Sequence, residues 1–498
     1  DDFTWTQEVN SPCPFCTNHC RRTVVKFPGG NSWVTNNRCE RGEVLGDPKD
    51  QEVRRQAKEK MQKASSTANL FKTREKLLFQ DYPVWEGAAK RDCVIGIPCV
   101  LSFWETAPFW TTFFRSLGFK IKLSDSSTRQ MYESGLYAVT SDTVCFPAKL
   151  VHGHLRNLAQ HKVDRIFMPS VATVHSENTE STSESMCAVV KGYPIVVRNS
   201  DSPEKRWGIP FDSPLFYWYT DRDRDRQLME YMEENWQISR DETREAIRFA
   251  DRALASFRST LQEEGRKVME QAKAKGEFAV VLASRPYQND SLVNHHLPEM
   301  FTSMGIPVLT VDSLPGGDKV DLSRSTLDIV NNYHGRMLTG AIQAAESENL
   351  EYVQIVSFGC GHDAYLSDEI VRLMKEISGK TPLILKVDES DIQGPLRIRV
   401  RSFLETLRLR REERKELEVN PLPDPYPVKF DADSKKEKIV LVPNTSHAFS
   451  RIMAAAMAGQ GLKTVPLEIG REEAIYYGKK YVHNDICFPA QVVIGEAL

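Results

Sequence analysis

Short apolar runs at residues 94–97, 163–168, 193–197, 278–283, 353–358 and 383–387 alternate with longer segments whose apolar positions recur every three or four residues. That alternation predicts parallel strands joined by crossover helices, an α/β fold. The longest helical pattern covers 222–276, where Ile247, Ala250, Leu254, Phe257 and Leu261 make one stripe and Ser239 with Glu242 spells a capping box. It reads as a helical connector packed between two α/β domains. Changes of pattern divide the chain into a Cys-rich module (1–47), a helix and linker (48–90), a first α/β domain (91–221), the connector (222–276) and a second α/β domain (277–420). A linker stiffened by Pro421, Pro423, Pro425 and Pro427 (421–436) leads into a further α/β unit (437–498).

The last unit repeats the first. Ser141-Asp-Thr-Val-Cys-Phe-Pro-Ala returns as Asn484-Asp-Ile-Cys-Phe-Pro-Ala, and Leu117-Gly-Phe-Lys120 returns as Gly461-Leu-Lys463. Gly118 precedes Cys145 by 27 positions and Gly461 precedes Cys487 by 26, which predicts a duplicated strand-helix-strand-helix unit. Pro147 suits the first turn of a helix, so Cys145 is expected at a strand-to-helix turn beside the free amides of the helix N-terminus. The partial positive charge there favours a thiolate, ready to act as nucleophile or metal ligand.

At 498 residues, two to four domains are expected. A net charge of -3 with scattered charges gives no support for nucleic-acid binding. No apolar run nears the roughly 20 residues that span a bilayer, and the N-terminus has no secretory pattern. A soluble, cytoplasmic protein is therefore expected, with no membrane partner. The chain begins without Met and stops just after the second Cys-Phe-Pro-Ala, so an oligomer or a piece of a longer protein is expected. Ten cysteines in such a chain point to metal or redox chemistry more than to disulfides.

Cys13-Pro-Phe-Cys16-Thr-Asn-His-Cys20 and Asn37-Arg-Cys39 supply four sulfurs, and beta-prone runs around Gly29-Gly30 predict a hairpin that brings Cys39 back to the other three. Such a four-cysteine site would hold zinc or an iron-sulfur cluster, with His19 outside the ligand set; a purely structural metal is the alternative. Cys93 and Cys99 flank strand 94–97 as packing residues. His152 and His154, two apart on a predicted helix, face different ways and should not chelate one ion together. The polar loop 176–185 ends at Met186-Cys187, beside a strand expected at 193–197, and would bring a second sulfur toward Cys145. Arg285, after strand 278–283, is either an anion-binding residue or half of a structural ion pair. Cys360 stands between Gly359 and Gly361, which would let backbone approach a cluster closely. The basic run 396–401 reads as a solvated face.

With Cys13-x-x-Cys16-x-x-x-Cys20, Asn37-Arg-Cys-Glu-Arg-Gly42, the Cys145 and Cys360 motifs and Arg285-Pro-Tyr287, the chain resembles the large CoA-substrate-specific enzyme activase-related proteins. These are similar to 2-hydroxyacyl-CoA dehydratase subunits and double-cubane cluster proteins. The resemblance implies tandem flavodoxin-like (Rossmann-like) domains and an iron-sulfur cluster, [4Fe-4S] or related, held by Cys145, Cys187 and Cys360. It also implies electrons from an ATP-hydrolysing activator. Where dehydratase relatives carry Pro-Cys, this chain has Pro169-Ser170, so a thiolate is missing there or replaced by the Ser170 oxygen. Glycine-rich phosphate-binding motifs of an activator are not found in this sequence.

The leading expectation is an iron-sulfur component of an ATP-dependent low-potential reductase or dehydratase system, acting on an acyl-CoA or other small substrate or relaying electrons to it. Three sulfurs would leave one iron open to a substrate oxygen. The alternative is a non-catalytic zinc scaffold that binds a nucleotide or partner. A third reading, nucleophilic catalysis by Cys145, lacks a base placed by the sequence.

Overall fold

The computed structural model describes residues 4–16, 19–35, 40–390, 393–413, 417–419, 430–470, 472–482, 486 and 488–498. Among these residues, the alternation of strand and helix becomes two four-stranded sheets. One runs Lys120–Leu123, Val94–Ile97, Arg165–Phe167, Phe211–Asp212, and the other Val308–Leu309, Ala279–Ala283, Leu350–Ser357, Leu383–Val387, all parallel. Both sheets therefore have the Rossmann-like order 2-1-3-4 in sequence numbering. Leu350–Ser357 is buried at every position, as a central parallel strand covered on both faces must be. In the first sheet, Pro169 and Pro214 cannot donate to the ladder. Pairing breaks there and resumes as Ser170–Val174 beside Leu215–Trp218, with Ser170 N–H donating to the Pro214 carbonyl at 2.8 Å.

The long connector is real and runs Arg240–Lys275, capped by Ser239, whose Oγ accepts from Glu242 N–H at 3.2 Å, and ended by Gly276 at φ 65°. Its first half buries Ala246, Ile247, Ala250, Ala253, Phe257 and Leu261 in the core of the first sheet, with Leu254 at the margin. Val268 and Ala272 enter the core of the second sheet. One helix thus belongs to two cores. At Gly265 it passes so close to the loop below that a Cβ would lie 1.9 Å from the Ser313 carbonyl oxygen.

Three local expectations need correction. The linker expected within 48–90 contains the helix Leu70–Phe79, capped by Asn69, after a first helix Gln51–Ser66. Leu70, Phe71 and Leu78 enter three different core clusters, so this helix is part of the packing. The strand expected at 193–197 is helix Ala188–Ser200. Its β-branched run mimics a strand, but Val190, Tyr193 and Val197 fall at helical spacing on the buried side, and tertiary packing overrides propensity. The basic run lies in helix Gln393–Glu412, where Leu396 and Val400 are buried and Arg397 and Arg401 reach Glu43 of the N-terminal module.

The hairpin predicted around Gly29-Gly30 joins Arg21–Lys26 to Ser32–Thr35, with both glycines at positive φ, and an additional strand, Thr6–Pro12, completes an antiparallel sheet. The prolines at 421–427 lie outside the described residues. The repeat is visible in three dimensions. Ile439–Val442 and Lys463–Pro466 pair in parallel as Val94–Ile97 and Lys120–Leu123 do, and Gly118 and Gly461 take φ 81° and 84°. Gly153 and Gly495, each eight residues after the repeated Cys, let two helices touch: a Cβ there would lie 2.3 Å from Met131 O and 1.7 Å from Ala474 O, respectively.

Substituting Gly265→Val forces backbone apart where one helix serves two cores. The expected cost is about 1–3 kcal/mol, read as a lower urea midpoint, whereas Gly192→Ala, which meets nothing within 4 Å inside helix Ala188–Ser200, should raise the midpoint, by up to about 1 kcal/mol of helix propensity.

Candidate functional site: a three-cysteine centre

Cys145, Cys187 and Cys360 are each the N-cap of a helix, Phe146–Gln160, Ala188–Ser200 and Gly361–Ser378 respectively, and in none does the side chain make a capping hydrogen bond. The Cys145 expectation holds for the helix start, with Pro147 in its first turn; an irregular segment precedes it where a strand was expected. Two loops meet here. Gly359, at φ 79°, sits where a Cβ would come within 3.0 Å of the Thr143 carbonyl oxygen, so the chain just before Cys360 lies against the chain just before Cys145. The three thiols are near enough to feel one another's charge: Cys187 and Cys360 both act on Cys145.

Burial reverses the expected thiol acidity. It pushes the Cys145 thiol up to about 12, against the pull of the Ala148 N–H, and Cys187 and Cys360 add to the rise while Arg285 opposes it. Burial also raises the Cys360 thiol, with Arg285 opposing. A helix N-terminus alone does not outweigh the loss of water. Tyr287, 4% exposed, lies within reach of Arg285 and all three thiols.

Arg285 takes the ion-pair role that the sequence left open. It follows strand Ala279–Ala283, Cys360 follows the neighbouring strand Leu350–Ser357, and the two thus flank the point where that sheet's order reverses. Arg285 Nη1 lies 2.7 Å from Asp363 Oδ1, both residues out of solvent. The two atoms are close but not aligned as a hydrogen bond, so the contact is chiefly Coulombic, and Arg285 Nη2 has no side-chain or backbone partner. Asp363 Oδ2 accepts from Ser357 N–H at 3.0 Å, and Gln288 Nε2 donates to Ser357 Oγ at 3.1 Å. Loops from both strands are fastened together.

Other candidates are placed apart from this centre or in structural roles. Ser170 is buried and its hydroxyl donates to the Lys191 carbonyl. His152 bonds Asp201 at 2.8 Å and Tyr193 at 3.0 Å, whereas His154 bonds Ser124 at 2.7 Å and Ser127 at 2.9 Å, so the two imidazoles face different ways as expected. Cys93 packs against the core and Cys99 is buried. Of the N-terminal set, Cys13 N–H donates to the Cys20 carbonyl at 2.8 Å and Cys16 lies in the turn between them. Cys39 and Cys487 lie outside the described residues. Among the described residues, no three His, Cys, Asp or Glu side chains are grouped as ligands of a single metal ion.

A cleft of about 460 Å³ is bordered by Glu105, Glu177, Arg258, Asp312 and Arg336. Arg336 bridges Glu105 of the first domain and Glu177 of the 176–185 loop across it. Between cleft and centre lies a space of about 10 Å³, room for about one water, bordered by Arg285, Tyr333 and Arg336.

Residues 94–314 match the CoA enzyme activase uncharacterised domain (DUF2229). The match supports a relationship to CoA enzyme activase-related proteins. The matched stretch of the activase-related domain contains Cys145, Cys187 and Arg285 and ends before Cys360. A search of curated proteins finds no match. No helix among the described residues is long and apolar enough to cross a membrane.

Sequence reasoning passed over His362 and Tyr365, on the helix that Cys360 caps, and His334, whose ring lies 4.9 Å from that of His362. The spacing Cys360-x-His362-x-x-Tyr365 was the available signal.

Burial lowers the His154 imidazole to about 4. The unfolded chain therefore takes up this proton at higher pH than the folded one, and stability should fall as pH drops from about 6.5 toward 4. His154→Gln should remove about 1.4 kcal/mol per pH unit of that slope, measured by urea unfolding at several pH values in the same window.

Proposed function

We propose that the protein is an iron-sulfur component of an ATP-dependent low-potential reductase or dehydratase system of CoA chemistry, with Cys145, Cys187 and Cys360 holding a [4Fe-4S] or related cluster. The observation that carries this reading is the meeting of three thiols, from three separate segments, each half-buried at the start of a helix in one arginine-bordered place. The donor set fits such a group. Cluster ligands bond to different irons and so stand farther apart than ligands of one ion, which agrees with three neighbouring thiols that do not group around a single ion. Burial makes a free thiolate costly at Cys145, and binding iron in place of the proton removes that cost.

When bound, a cluster of this kind supplies one-electron transfer at low potential. The chain's own residues do the rest. The helix N-termini and the Arg285 guanidinium favour the negative charge that thiolates and sulfides carry. Tyr287, itself buried, stands among Arg285 and the three thiols. The cleft has the size of a small-molecule site and suits an acyl-CoA headpiece or another small substrate. The 2-1-3-4 order of both sheets supports tandem flavodoxin-like domains, and the activase-related match supports a partnership with an ATP-hydrolysing activator. Cys13, Cys16 and Cys20 supply further sulfurs that, with Cys39 of the sequence motif, would hold zinc or a second cluster. In this reading Arg285 and Ser170 support the centre without touching substrate. A cytoplasmic setting, the one we propose, keeps cysteine thiols free of disulfides and available to bind metal.

Iron, zinc and acid-labile sulfide per chain, measured on anaerobically purified wild type and Cys145→Ala, test this. Iron and sulfide should fall in the variant while metal at the N-terminal site persists. Zinc alone in both proteins would overturn the reading in favour of a non-catalytic scaffold.

A further inference from the structure

The one-water space beside the cleft is bordered by Arg74, Asn289 and Tyr333 as well as by Arg285. Each of the first three is no more than 4% exposed and keeps one polar atom without a hydrogen-bond partner among the described residues. Their other contacts hold them still. Arg74 Nε lies 2.8 Å from Asp312 Oδ2 and its Nη1 donates to the Trp104 carbonyl at 2.8 Å, which leaves Nη2. Asn289 Nδ2 donates to the Phe71 carbonyl at 3.2 Å, which leaves Oδ1. Tyr333 stands in the first turn of helix Asn332–Glu346, and its hydroxyl makes no hydrogen bond, with the Glu105 carboxylate nearby. A buried polar atom without a partner calls for an explanation, and three around one small space share one. The position is also where a guest belongs. Asn289 lies in the loop after strand Ala279–Ala283, and Thr310 and Val311 follow its neighbour Val308–Leu309, at the carboxyl ends where open α/β sheets bind ligands.

The chemistry of the three atoms selects the guest. Arg74 Nη2 and Tyr333 Oη donate, whereas Asn289 Oδ1 only accepts. An ether, carbonyl or carboxylate oxygen has no hydrogen to give Asn289. An anion would also add unmatched charge, because Arg74 is already paired with Asp312, Arg285 with Asp363, and Arg336 with Glu105 and Glu177. One neutral oxygen that accepts twice and donates once meets all three needs, which is the pattern of a water or an alcohol. The space and the 460 Å³ cleft share Val311, Asp312 and Arg336 in their walls, so a molecule seated in the cleft can reach in with a single oxygen. We propose that this space is a hydroxyl subsite of the cleft, in which the alcohol group of a small molecule takes the place of a water, accepting from Arg74 and Tyr333 and donating to Asn289. The subsite sets specificity, since a guest without the hydroxyl leaves buried groups unpaired.

The inference rests on the reading of the cleft as a small-molecule site and not on the cluster. Full chain is titrated at fixed ionic strength with propan-2-ol, with acetone, which has nearly the same shape but no O–H, and with acetate, and binding is followed by ligand-observed NMR. Propan-2-ol should bind saturably, and acetone and acetate about tenfold more weakly or worse. Arg74→Lys keeps a charge for Asp312 but loses Nη2, and should weaken propan-2-ol about tenfold; Tyr333→Phe, which removes one hydroxyl, should weaken it several-fold. Because the three probes are compared on the wild type, misfolding of a variant does not remove the test. Acetone or acetate binding as tightly as propan-2-ol overturns the subsite and leaves the cleft a ligand site. Propan-2-ol binding that is unchanged in both folded variants lies elsewhere and also overturns it. No saturable binding of any probe overturns the subsite and the cleft reading together, while iron and sulfide on the same preparation decide the cluster separately.

Discussion

The cysteine centre depends on the ion pair between Arg285 and Asp363. Both groups are taken out of water, at 2% and 0% exposure, and each is tolerable there because of the other. Losing one partner would leave an uncompensated buried charge, an error of about 3–5 kcal/mol. Through Asp363, the pair also holds the Ser357 amide at the end of the central strand and thereby sets where the turn through Gly359 delivers Cys360. The same guanidinium lies close enough to Cys145 to oppose the effect of burial on its thiol. Fold and candidate chemistry meet in one salt bridge.

The sequence made most of the architecture legible because parallel sheets buried on both faces write continuous apolar runs. The central strand Leu350–Ser357 was readable over 353–357 for that reason, and the partly exposed edge strand Leu383–Val387 from its short apolar run. The connector was readable because its stripe and Ser239 cap are local signals. What failed were segments where local preference and packing disagree. Residues 193–197 carry a strand's composition inside a helix, and Leu70–Phe79 follows a Ser-rich stretch that resembles a linker, although three cores need it.

At the site, the helix start at Cys145 was legible from its Phe-Pro pattern, whereas Cys187 was expected beside a strand and Cys360 in a glycine-flanked loop, and both instead begin helices. Their electrostatics were not legible, since the acidity of Cys145 is decided by how much of the molecule surrounds it. A linear reading sees the helix end that lowers a thiol's pKa and misses the desolvation that raises it. Arg285 was likewise left between two roles until Asp363, far along the chain, was seen beside it.

The helix Arg240–Lys275 has one more consequence. Thirty-six residues of unbroken helix make a rod of about 54 Å, and it is embedded at both ends in different cores. A rod has no joint. The two sheets cannot swing shut over the cleft by bending where this helix crosses between them, so a guest must be admitted by smaller parts. Arg336 and Arg258, both paired with Glu105 and Glu177 at the cleft, are the groups whose salt bridges a guest of the proposed kind would have to exchange.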